Sequence, residues 1–310
     1  MDFVIVTTLF ISVFRLTVPI VLMALGNMFC ERAGIMNLGA EGMMISSAFG
    51  AVVGTYFSGN PWIGVLIAVF SGILIAGIHS LISVEFGGIQ NLSGLGLNML
   101  ATGLTAFLCR AIFDTGITPS VEDIQTTKFL ANIPIVGEVL AQFSPLAYLT
   151  VVLVFICWFI MSRTVFGAHV DAVGDDPKTA ETAGINVWRI RHFCVTILCG
   201  SFAGLAGAYL SIGTLSFFME NMTKGKGMLA VIAVKMGRWK PKYIVTVALL
   251  FGFFDALQAQ LQINNVWNIA PELIQTLPYV VGIIALVLST VSKDAPRAMF
   301  KPYVKNKYKF

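Results

Sequence analysis

Charge is scarce in this chain: Asp, Glu, Lys and Arg make up 12% of its 310 residues, against about 25% in soluble domains. With a mean hydropathy of +0.84, that scarcity excludes a water-exposed globule. Cysteine is sparse as well. The five present, Cys30, Cys109, Cys157, Cys194 and Cys199, lie in or beside apolar runs without a CxxC pair. Neither a zinc site nor a disulfide framework follows, and they read as small buried apolar residues. Of the three histidines, His79 sits alone in an apolar run and His169 and His192 fall in loops, so none has metal-ligand spacing. A P-loop is missing too: Gly225-Lys226 has Glu220 where the first glycine belongs, so any ATP is expected to be bound and hydrolysed elsewhere. Residues 225–230 match a dinucleotide fingerprint only weakly, without the βαβ context that would support it. No nucleophile and base can be paired, which sets enzymes aside. No basic start precedes the first apolar run, so no cleavable signal is expected.

What is present in quantity is apolar sequence. Charge-free runs at 86–109, 139–162, 193–219 and 273–292 are each long enough to cross a hydrocarbon core of about 30 Å as a helix. Barrel strands would be half as long and alternating. The fold class is therefore all-α, a polytopic transmembrane helical bundle of about nine segments.

One polar stretch, 163–191, interrupts this pattern with both ends of a short helix specified. Asp176 is placed as N-cap, Pro177 fits the first helical position, residues 178–183 are good helix formers, and Gly184 can stop the helix. So short a helix is unstable alone in water and must pack on something. A soluble partner beneath the membrane and the chain's own body are both open at this level.

The remaining segments follow in order. A first span over 3–24 carries Arg15, costly at membrane depth unless paired or wetted, with Glu41 as the expected partner. Residues 26–44 mix Glu31, Arg32 and glycines, a backbone tolerated there only inside protein or beside a wet cavity. Spans at 36–56 and 63–84 form a hairpin about the turn signal 58–61. In the span 89–113, Asn91, Asn98, Thr102 and Thr105 share a face, while Gly94, Gly96, Ala101 and Gly103 permit close packing. Few basic residues in 114–142, only Lys128 against Glu122, Asp123 and Glu138, place that stretch outside. After the spans 145–161 and 193–212, the latter with Gly200, Gly204 and Gly207 for close packing, comes 221–237. It is too short between its charges for a full span and reads as a tilted or broken helix. In 243–262, Asp255, Gln258 and Gln262 form one polar stripe. A last span, 274–290, leads into a basic tail.

Placing 163–191, the turn at Arg238, Lys240 and Lys242, and the tail in the cytosol puts most of the 20 Lys and Arg residues inside. The N-terminus is then outside and the C-terminus cytoplasmic. Topology accounts for the net charge of +4, and no nucleic-acid partner is expected. The organisation is one transmembrane domain, 1–310, with a cytoplasmic loop at 163–191 and a basic cytoplasmic tail at 292–310. The polar faces nominate Asn98, Asp255 and Gln258 for a substrate pathway, with Glu41 near it. Such residues would also suit an ion- or proton-coupled secondary transporter, in which Glu41 or Asp255 binds the coupling ion.

Four stretches carry a resemblance: ALGNMFCERAGIMNLGAEGMM (24–44), GDDPKTAETAGINVWRIR (174–191), GSFAGLAGAYL (200–210) and LPYVVGIIALVL (277–288). Together they resemble the permease subunits of bacterial ABC importers, in particular the nucleoside and simple-sugar branch of the ribose and branched-chain amino acid permease family. The resemblance runs from about residue 19 to 288 and implies a type II-like importer fold in the cell membrane, without the first helix of ribose-type permeases. It further implies a non-catalytic translocation subunit for nucleosides or related simple sugars. The implied partners are a second permease subunit, an ATP-binding subunit with two nucleotide sites and an extracytoplasmic substrate-binding protein. No cofactor of the chain's own is implied, ATP being bound by the partner. The match over 174–184 implies a coupling helix contacting the ATPase through Gly174, Asp176, Pro177, Lys178, Ala180 and Gly184.

Overall fold

The computed structural model describes residues 3–124, 141–264, 271–288, 295–301 and 303. Lys128 and Glu138 of the expected outer stretch and most of the basic tail lie outside the described residues. The described chain is helical apart from loops and one isolated bridge, Ile117 to Met219. Its helices are α1 (Phe3–Arg32), α2 (Ala40–Ser58), α3 (Pro61–Ser80), α4 (Gln90–Phe113), α5 (Pro145–Arg163), α6 (Val165–Asp175), α7 (Pro177–Thr182), α8 (Val187–His192), α9 (Gly200–Ser211), α10 (Lys226–Met236), α11 (Pro241–Asn264), α12 (Pro271–Gln275) and α13 (Leu277–Leu288). A π segment, Leu81–Glu85, prolongs α3, and another, Phe193–Cys199, joins α8 to α9.

Among the described residues six helical stretches are long and apolar enough to cross a membrane: Thr7–Arg32, Pro61–Glu85, Gln90–Phe113, Pro145–Arg163, Val187–Ser211 and Pro241–Gln262. The expected nine segments all correspond to helices, but three fall short of a full span. α10 has 11 residues and the described part of α13 has 12, roughly 16–18 Å of rise each. α2 has 19 residues but carries Glu41 in its first turn and is diluted by Gly, Ser and Thr. It also starts at Ala40 rather than near 36, because 33–39 is not helix.

The second half of α1 is the centre of the molecule: every residue from Pro19 to Cys30 is buried. Three glycines of the π-joined helix let neighbours approach to backbone distance. A Cβ at Gly200 would lie 2.6 Å from Ile73 Cα, one at Gly204 would strike Val69, and one at Gly207 would lie 2.5 Å from Met44 O. α9 is thereby seated on α3 and α2, as small residues permit in lipid. The turn before α3 follows its residues: Gly59 closes α2 at φ 65°, and Asn60 caps α3 by accepting from Trp62 N at 2.9 Å, with Pro61 in the first turn. All five cysteines are free and buried.

Irregular backbone at 33–39 is buried, and side chains from three helices satisfy it. Gln90 Oε1 accepts from Met36 N at 2.8 Å, His79 Nε2 pairs with Met36 O at 3.1 Å, Asn98 Nδ2 donates to Leu38 O at 2.7 Å, and Arg191 Nε donates to Ala33 O at 3.1 Å. Buried backbone groups left without such partners would each cost several kcal/mol, on the order of a lost hydrogen bond plus desolvation. The lone His79 thus has a structural task, shared with Ser93 Oγ at 3.0 Å from its Nδ1.

Candidate functional site

A cavity of about 810 Å³ opens between α1, the end of α9, the 214–226 loop, the second half of α11 and the α12–α13 corner. It is bordered by amides, Asn221, Gln258, Gln262 and Gln275, and by the rings of Tyr209, Phe217 and Tyr279. The stripe of Asp255, Gln258 and Gln262 on α11 all faces it. Asp255 is ion-paired with Lys226 at the start of α10, so these two charges neutralise each other where an isolated one would be costly. At the rim, Glu220 makes a bidentate pair with Arg110, both contacts at 2.8 Å. Such a fork is directional as well as strong.

α10 is the broken helix expected over 221–237. Gly225 precedes it at φ 75°, a left-handed conformation natural to glycine. N–H groups at its N-terminus, which have no acceptor within the helix, meet a carboxylate from another helix: Glu41 of α2 accepts from Gly225 N and Gly227 N, each at 2.7 Å. Negative charge at a helix N-terminus is favourable through both hydrogen bonding and the helix dipole. Tyr279 donates its hydroxyl to Lys224 O on the same turn.

The nominated pathway residues therefore separate into two pairs. Asp255 and Gln258 line the cavity. Glu41 and Asn98 hold backbone: Asn98 Oδ1 accepts from Gly42 N at 2.7 Å while its Nδ2 holds Leu38 O. The expected pairing of Arg15 with Glu41 does not form. Arg15 borders the cavity and donates to Gln142 O at 3.2 Å, because two backbone N–H groups already occupy the Glu41 carboxylate. Lys226, which sequence reasoning passed over, had a signal: a lysine between two glycines in an apolar segment needs a carboxylate partner.

Below the opposite end of α1 lies the α6–α8 loop. Asp176 caps α7 as expected, accepting from Thr179 Oγ1 at 2.7 Å and from the N–H groups of Lys178 and Thr179 at 3.0 and 3.3 Å. The bonds from Thr179 foremost hold its carboxyl below the usual range. Gly184 ends the motif at φ 85°, and Ile185 N donates back to Ala180 O at 3.0 Å. Observed helix ends at Thr182, one residue short of expectation.

The face that α7 buries is its own subunit's. Ala180 is 3% exposed and packs with Val173 and Val187. Gly174 approaches α1 so closely that a Cβ would run into Arg32 O. Lys178, Thr179, Glu181, Thr182 and Ala183 are exposed. Two residues that no local pattern marks complete the loop: Tyr303 of the tail donates to Glu181, and its ring lies 5.6 Å from the Arg191 guanidinium. Burial first, then Glu181, pushes the Tyr303 hydroxyl up to about 12, so it stays a donor at any physiological pH.

Comparison with known proteins adds a family match and three relatives. Residues 9–286 match the model of a family described as branched-chain amino acid transport system, permease component. The guanosine ABC transporter permease protein NupQ of Bacillus subtilis is 35% identical, over 93% of this chain and 94% of its own. The nucleoside ABC transporter permease protein NupC of Lactococcus lactis is 32% identical, over 93% and 94%, and the glucose ABC transporter permease protein TsgB13 of Haloferax volcanii is 27% identical, over 76% and 65%.

Proposed function

The chain belongs to the family of branched-chain amino acid transport system permease components, and we propose that it carries nucleosides inward across a bacterial cell membrane. It is a multi-pass, non-catalytic translocation subunit of an ABC transporter. The observation that favours nucleosides is the lining of the cavity. Four side-chain amides supply paired donors and acceptors like those on a base edge, and the half-buried rings of Phe217 and Tyr279 offer stacking surfaces. Two relatives named for guanosine and nucleosides support the same reading, and simple sugars are the alternative cargo.

In this reading the pathway passes Asp255 and Gln258, while Glu41 and Asn98 shape it from behind. Gly174, Asp176, Pro177, Lys178, Ala180 and Gly184 form a coupling element beneath the membrane, with Lys178, Thr182 and Ala183 meeting the ATPase and Ala180 and Gly174 seating the element on its own chain. The assembly includes an ATP-binding subunit, a second permease subunit and an extracytoplasmic substrate-binding protein, with the N-terminus of this chain outside and its C-terminus in the cytosol. ATP-driven closure of the partner moves α7 and rocks the permeases between outward and inward states. A secondary transporter is not favoured, because both carboxylates it would use are engaged: Glu41 by two N–H groups and Asp255 by Lys226.

Competition for uptake tests the cargo. Proteoliposomes holding the complete complex should take up labelled guanosine and lose that signal to excess unlabelled nucleosides. Competition by glucose or ribose with none by nucleosides would replace this reading with the sugar one.

A further inference from the structure

The C-terminal tail crosses the loop that carries α7, and nothing in the coupling reading requires it there. Ala298 N donates to Gly174 O at 2.9 Å, fastening the tail to the end of α6. Five residues further, Tyr303 reaches both sides of the loop. Its hydroxyl holds Glu181 on α7 and its ring faces Arg191 on α8.

Arg191 is 1% exposed. Its Nε holds Ala33 O, while its Nη2 has no hydrogen-bond acceptor among the described residues. A buried guanidinium so sparsely partnered gains from an aromatic face, and a desolvated cation–π contact is the strong kind. The tyrosine therefore supports Arg191, and Arg191 in turn holds the start of the 33–39 loop. That loop runs into α2, where Glu41 fixes the N-terminus of α10 beside the cavity.

α7 itself is six residues long, too short to be stable alone, and buries only Ala180. Without the tail, a push on so small an element would be absorbed by deformation of the loop. We infer that Tyr303 is a positioning residue that straps α7 to α8 and, through Arg191, to the α1–α2 loop, so that displacement of α7 is delivered to the cavity end of the chain. The inference rests on α7 being the coupling element.

The test uses the complete complex in proteoliposomes and measures substrate moved per ATP hydrolysed, together with the mobility of a nitroxide on Lys178→Cys. Tyr303→Ala should raise that mobility and lower transport per ATP by about fivefold or more, the lower end of a usual coupling free energy. Tyr303→Phe keeps the ring over Arg191 and loses only the bond to Glu181, and it should fall between. Glu181→Gln still offers an acceptor oxygen and should stay near the parental ratio. Unchanged ratio and mobility in Tyr303→Ala would overturn the strap. If that variant fails to assemble, the ratio measured for Tyr303→Phe and the label mobility in the separate chain decide in the same directions. Crosslinking of Lys178→Cys to the ATPase in the otherwise parental complex separates the two levels. Loss of the crosslink removes the coupling reading itself, while a retained crosslink with an unchanged ratio removes the strap alone.

Discussion

Glu41 Oε2 accepts the backbone N–H of Gly227 at 2.7 Å across 186 residues of sequence, and its other oxygen accepts that of Gly225. The first turn of α2 is thereby clasped to the first turn of a broken helix at the cavity wall. Each of these bonds involves a charged acceptor, worth about 1.5–3 kcal/mol. Glu41→Ala should lower the thermal stability of the purified chain by at least one such bond, and Glu41→Gln, which keeps one acceptor, by less. Equal melting temperatures for all three proteins would show that the clasp contributes nothing to stability.

Gly227 is held as close to α2 as its missing side chain allows. A Cβ there would lie 2.5 Å from Glu41 N and 2.6 Å from its Cα, whereas one at Gly96 would meet nothing within 4 Å. Backbone cannot swing aside as a side-chain tip can, so Gly227→Ala should cost about 1–3 kcal/mol while Gly96→Ala leaves stability near parental. Unfolding of both variants in detergent, monitored in parallel, checks the contrast. A destabilised Gly96→Ala beside an unaffected Gly227→Ala would reverse it.

The α7 motif was legible residue by residue because caps and stops are local: Asp176, Pro177 and Gly184 act on backbone within a few positions of themselves. Likewise the Asp255, Gln258 and Gln262 stripe is a consequence of helical spacing alone. The partner of Glu41 was not legible. A carboxylate at membrane depth announces that it needs compensation, but it cannot announce whether a cation or a distant helix N-terminus supplies it. The start of α2 was misplaced for a related reason. Residues 36–39 are apolar enough for a span, and only Gln90, His79 and Asn98, brought in by folding, make their non-helical backbone tolerable.

Ala180 illustrates how burial changes a test. Mid-helix and small, it suggests a contact surface, yet it is packed against Val173 and Val187 of its own chain. Ala180→Trp should therefore disorder the loop even in the separately purified subunit, seen as faster tryptic cleavage at Lys178. Lys178→Trp, on the exposed side, should leave cleavage elsewhere in the loop unchanged and weaken ATPase binding instead. Parental protease resistance of Ala180→Trp would mean that the small apolar cluster is not holding α7.

Gly184→Val tests the stop of the same helix. A β-branched residue at φ 85° is strained by about 1–3 kcal/mol, so the variant should fold in the membrane with a misdirected α7 and lose substrate-stimulated ATPase activity in the complex. Full stimulation would show that the left-handed stop is dispensable.

Lys226 and Asp255 should behave as a unit. Removing either charge leaves the other poorly solvated, a loss on the order of 3 kcal/mol for buried pairs. Lys226→Met and Asp255→Asn should each destabilise the chain, and the double variant, which removes both charges together, should lose less than the sum of the two single losses. Additive losses in that cycle would contradict the pairing.

The most direct measurement is guanosine uptake into sealed proteoliposomes, with this chain alone and with the complete complex. A translocation subunit driven by a separate ATPase gives no concentrative uptake by the chain alone under a proton or sodium gradient. With the complex, uptake should require ATP on the side that Lys178 faces and fall when Gln258 is replaced by Ala. Gradient-driven uptake by the chain without an ATPase would contradict that role.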